Sequence, residues 1–144
     1  MPAMSALLTN DTQIQVLAMA VRDVCGQPTT AQLAEMRRSV EQACLMPRHI
    51  GWDRRSAAHA EIFLMLADTA DHPVLARMLS SGVGFTHHLM IAAGPAAGMM
   101  TGNSSKRLLA LLAAGDAEGA AHETERHLRV LRLMGRLAGA RCAR

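Results

Sequence analysis

Apolar residues recur three and four apart along most of the chain, and Gly, Pro and capping residues punctuate the recurrences. Ile14, Leu17, Ala18, Val21 and Val24 share one side of a first helix, predicted to open at a cap at Asn10 or Asp11 and to close before Gly26. Thr29 or Thr30 caps a second, in which Leu33, Met36, Val40 and Cys44 repeat at helical spacing until Pro47 stops it. Asp53 caps a third, running to about Ala70 with Arg55, His59, Ile62, Phe63, Leu66 and Ala70 inward. Asp71-His72-Pro73 opens a fourth through Leu75, Met78, Leu79, Phe85, Leu89 and Ala92, with Gly82 and Gly84 expected to kink or split it. Gly94 to Gly102 is undecided by pattern. Asn103 or Ser104 caps a fifth helix that Gly115 closes. Asp116 caps a sixth running to about Leu137, and Ala138 to Arg144 is expected to fray.

Strand-like alternation is absent, so the pattern implies an all-α, antiparallel bundle of six to seven helices, one domain over residues 1–144. Composition agrees: half the residues are apolar, with one Trp, two Phe and no Tyr, leaving Ala, Leu and Met as the bulk. The shortage of aromatic platforms argues against single-strand nucleic-acid binding. Net charge is +3, with Arg126, Arg129, Arg132, Arg136, Arg141 and Arg144 gathered near the C-terminus. They form either a solvated face or a contact for an acidic partner. Cys25, Cys44 and Cys142 lack metal-type spacing and read as reduced thiols. Without a signal peptide or an apolar run that could span a bilayer, a cytoplasmic protein is expected.

Two histidines break the apolar stripes. On the last helix Ala120, Thr124, His127, Leu131, Met134 and Ala138 share a face, so His127 points inward, as does His59 on the third. Inward imidazoles from two helices can meet in a bundle core and build a ligand or metal site; each can equally be a satisfied core residue. His87 and His88 are adjacent, so at most one faces inward. His122 lies opposite His127, and His49 and His72 sit in joints. HExxH, ExxH pairs and phosphate loops are missing, and the only jobs assigned to carboxylates are capping, by Asp53 and Asp116. An enzyme is not expected.

RRSAAHAEIFLMLADTADHPVL, followed after a gap by SSKRLLALLAAGDAEGAAHETERHL, resembles the effector-binding FCD domain of the FadR subgroup of GntR transcription regulators. The likeness spans about residues 5–137; the Gly115-Asp116 turn, with His127-Leu128 eleven and twelve residues past Asp116, is its most specific part. It implies an Asp and three His holding a divalent metal, such as zinc or nickel, that takes the carboxylate of an organic acid. The first and last histidines fall on His59 and His127, but the Asp falls on Arg55 and the middle His on Ser105. Asp53, six residues from His59, is about 240° round the helix and a poor substitute. The metal is therefore expected to be absent or weak, with His59 and His127 an incomplete ligand pair. An anionic effector would be held directly by Arg55, His59 and His127, with Ser105 and His88 as further candidates. The alternative is that Arg55 snorkels outward to a surface acid. Met65, Met78, Met90, Met99, Met100 and Met134 suit a flexible apolar ligand, and metal-free members resemble a fatty-acid regulator that binds acyl-CoA, so a fatty-acyl effector is preferred. The family implies a homodimer whose DNA contacts come from a winged helix of about 70 residues; nothing before Asn10 could supply one. The competing readings are a helical dimerisation module without ligand, and a metal-dependent enzyme or sensor using His59, His127 and either His87 or His88.

Overall fold

Caps and breakers set most of the helix ends. The computed structural model describes residues 2–142, with side chains over residues 10–141. It is 86% helical, with six helices and no strands among the described residues: α1 (Pro2–Val24), α2 (Thr30–Leu45), α3 (Trp52–Thr69), α4 (Pro73–Ala93), a 3₁₀ turn (Pro95–Ala97), α5 (Gly98–Ala113) and α6 (Ala117–Cys142). Thr29 and Gln32 form a reciprocal capping box on α2, each side chain accepting the other's backbone N–H. His72 Nδ1 accepts the Val74 N–H at the start of α4, and Pro73 follows as the first helical residue. Gly115, at φ +71°, reverses the chain after α5, and Asp116 Oδ1 accepts the Gly119 N–H to open α6.

Several expected boundaries are corrected. α1 starts well before Asn10, because no Gly or Pro interrupts residues 3–25; Asp11 lies mid-helix and pairs with Arg132 of α6. Gly51, not Asp53, caps α3, and Asp53 sits in the first turn, where its charge complements the helix dipole. α4 is unbroken across Gly82 and Gly84. A Cβ on Gly82 would lie 2.5 Å from Leu17 Cδ1, so the missing side chain brings α1 close rather than bending α4. Within that stripe Ala92 is exposed, and Met90 is fully buried instead. α5 begins at Gly98, several residues before Asn103 and Ser104, and has no side-chain cap. The C-terminal segment is helical through Cys142; the side chain of Cys142 and residues 143–144 lie outside the described residues.

α3 and α4 form the most extensive antiparallel pair, α6 lies against α1 and α4, and α2 closes over α3 and α5. One continuous core unites them, including Leu17, Leu66, Leu79, Met90, Leu128 and Leu131. Among the described residues, no helix is long and apolar enough to cross a membrane.

Candidate functional site

The helical spacing that buries Ala120, Thr124, His127 and Leu131 on α6 also carries His127 to the level of His59 on α3. Both imidazoles line one chamber, together with Thr86 of α4 and Thr101, Ser104 and Ser105 of α5. The chamber leaves about 10 Å³ free, room for a single water. His127 Nε2 lies 3.1 Å from the Thr101 hydroxyl, and which of the two donates depends on the tautomer. Thr124 donates to the Ala120 carbonyl at 3.0 Å, closing its own turn. Among the described residues, His59 Nδ1 and Thr86 Oγ1 are buried without a hydrogen-bond partner. An orphaned buried polar atom costs about 1–3 kcal/mol, so these two mark a place for a water or a ligand atom.

Burial pushes the His127 imidazole down to about 4. The Glu123 carboxylate opposes that shift, whereas Arg126, His59 and Arg107 add to it. His59 is lowered as well, first by burial and then by the Arg55 guanidinium. The chamber thus presents neutral imidazoles at pH 7. Glu123, one turn before His127, carries the buried charge. It accepts from Ser104 Oγ at 2.8 Å and Arg107 Nε at 2.9 Å, and also from Arg126. Burial alone would raise its carboxyl pKa, but these three hydrogen bonds and the Arg126 charge hold it below the usual range.

Outside His59 lies a second, larger space. The end of α2, the joint after it, α3, the 3₁₀ turn and the start of α5 enclose a cleft of about 650 Å³. Arg48, Arg55 and Lys106 line it, with Cys44, Gly98 and Gly102. Arg55 donates from Nε to the Ile50 carbonyl at 2.9 Å, and its guanidinium stacks over Trp52 at 5.1 Å from the ring centroid. Trp52 in turn donates to the Met90 carbonyl at 2.8 Å. His59 belongs to both spaces and stands in the wall between them.

Of the residues singled out above, His59, Ser105 and His127 share the chamber, while Arg55 joins His59 only at the cleft. The expected convergence of Arg55 on both imidazoles is corrected to this divided arrangement: one turn separates Arg55 from His59, and its hydrogen bond to Ile50 holds it at the outer end. Arg55 forms no salt bridge with a surface acid either, among the described residues. His88 is exposed and lines neither space; His87, half-buried, lies 3.4 Å from the Asp53 carboxylate. The methionines do not form one surface: Met90 lines the chamber, Met99 the cleft, and Met78 a separate apolar groove of about 240 Å³ between α1 and α4.

Among the described residues no group of three or more His, Cys, Asp or Glu side chains is placed to hold a metal ion. Two imidazoles, a serine hydroxyl and an arginine do not fit the Asp-and-three-His set. Glu123 was missed from the sequence, although it lies four residues before His127 and so shares its side of the helix. Arg48 and Lys106 were missed as well, because only the fold brings the α2–α3 joint to α5.

A family model described as the FCD domain matches residues 13–130. Comparison with curated proteins and with solved structures finds no match in either. The all-α bundle and that match over most of its length together mean that the chain belongs to the FCD domain family, the effector-binding regulatory domain of GntR-family regulators.

Proposed function

We propose that the chain senses a small anionic effector directly, without a resident metal, and passes its binding to DNA-reading segments outside the chain. The observation that carries this is the position of His59, in the wall between a polar chamber and a cationic cleft, with Nδ1 unpartnered. The anion lies in the cleft against Arg55, and His59 supplies a neutral hydrogen bond. Filling that bond tightens α3 against α5 and, through the chamber, α6; an effector acts by stabilising one such packing over another. The role is regulatory rather than catalytic.

The cationic lining of the cleft, with Arg48, Arg55 and Lys106, favours a compact anion over a fatty-acyl chain. The chamber behind His59 has room for one water, and the apolar groove between α1 and α4 is a different site. Homodimerisation belongs to the same proposal: Leu133 and Leu137 on α6 are 54% and 51% exposed and offer apolar surface.

Mass spectrometry of ligands carried through purification tests the reading, followed by calorimetry of whatever is found on chelator-treated protein. The expected result is a compact anion whose affinity His59→Ala and Arg55→Ala each abolish, with no submicromolar binding of zinc or nickel. Submicromolar metal binding would overturn the direct-contact mechanism. Ligand binding indifferent to both substitutions would overturn the site.

A further inference from the structure

The charge lining the cleft says more about what it holds. Arg48, Arg55 and Lys106 border it, and no Asp or Glu does. None of the three forms a salt bridge among the described residues. Glu41 borders a neighbouring groove with Lys106, also without a salt bridge. Arg55 is held in place through Nε and its ring-stacked face, and no protein acceptor takes its terminal nitrogens among the described residues. On the opposite wall α5 opens without a side-chain cap, and Gly98 and Gly102, one turn apart, border the cleft. Trp52 and Cys44 pack over those two glycines, so the opening of α5 contributes the positive end of its dipole rather than bare backbone. The second, independent sign of a ligand is His59, only 8% exposed: it lines the same cleft, and its Nδ1 is buried without a partner in the wall between cleft and chamber.

We propose that this cleft is built for a compact, multiply charged anion of the phosphoryl class, gripped by Arg48, Arg55 and Lys106 against the opening turn of α5. The inference rests on the reading of the cleft as the effector site and narrows its ligand. A single carboxylate would neutralise one of the three cations bordering the cleft and leave the other two uncompensated. A phosphate monoester carries about −1.5 to −2 at pH 7 and presents three strong acceptor oxygens. Arginine forks grip such oxygens two at a time, lysine adds a point charge, and His59 adds a neutral contact at the inner end. The cleft's 650 Å³ lies within the range of about 300–1,000 Å³ usual for small-molecule sites, so the phosphate would come on a molecule of modest size.

Calorimetry on the chelator-treated full chain with inorganic phosphate, pyrophosphate, citrate and octanoate tests this. Pyrophosphate is expected to bind one per chain, more tightly than phosphate, and at least tenfold more tightly than citrate or octanoate. Its affinity should fall steeply as salt rises. Arg48→Ala and Lys106→Ala should each weaken it by about tenfold, the loss of one charge-assisted contact. Both side chains are exposed, so the ligand-free chain should keep its thermal midpoint. Citrate binding as tightly as pyrophosphate would overturn the phosphoryl class. Octanoate binding more tightly, indifferent to Arg48→Ala, would overturn the charge argument. In either case a loss of binding in His59→Ala leaves the effector site standing. Binding of none of the four overturns the inference, while the co-purifying ligand judges the effector reading independently.

Discussion

His127 and Glu123 show how one helical turn sets the character of the chamber. The imidazole is neutral because it is buried, and the carboxylate is charged because Ser104, Arg107 and Arg126 donate to it. The folded His127 has its pKa pushed down to about 4 from 6.5, so the unfolded chain binds more protons between those values. Stability is then fully present above about pH 6.5 and lost as pH falls toward 4, by roughly 3 kcal/mol at full effect, with His59 acting in the same direction. Urea unfolding from pH 7 to pH 4.5 should show this decline, and His127→Gln should make it shallower. Glu123→Ala leaves the buried Ser104 hydroxyl without its acceptor and should cost about 2 kcal/mol at pH 7 in the same assay. The inward direction of His127 was legible from the stripe Ala120, Thr124, Leu131. Its neutrality was not, since that depends on how completely α5 and α3 cover it.

At the level of helices, pattern and punctuation revealed six elements and most of their joints. Thr29, Pro73, Gly115 and Asp116 act locally, through their own turns, and so can be read from neighbours in the chain. The start of α5 was not legible, because Gly98 and Gly102 are poor helix formers held by tertiary contact. A Cβ on Gly98 would lie 3.4 Å from Trp52, and one on Gly102 would lie 2.8 Å from Cys44 Sγ. The two glycines of α4 were misread for a related reason, since a glycine's helical cost says nothing about its neighbours. They are expected to part company on substitution. Gly82→Ala should destabilise by about 1–3 kcal/mol because Leu17 occupies the space, as calorimetric melting would register. Gly84→Ala meets nothing within 4 Å and should stabilise the exposed side of α4 by up to about 1 kcal/mol.

Across the whole molecule, six helices share one core, so a ligand bound at one wall raises the stability of all of them together. An effector at a hundred times its dissociation constant should add about 2.7 kcal/mol to a single cooperative unfolding transition, and His59→Ala should remove that increment. The site was legible only in halves: the imidazoles lie on predictable faces, but the cations come from the α2–α3 joint, α3 and α5, and only the packing of α2 over both brings them together. Trp52 sits beneath one of those cations, its indole tied to the end of α4 and its ring 6.5 Å from that of His59. It is also the chain's single tryptophan. Any ligand that draws Arg55 away from the ring will change the indole's emission, so the unlabelled protein carries its own optical reporter of occupancy.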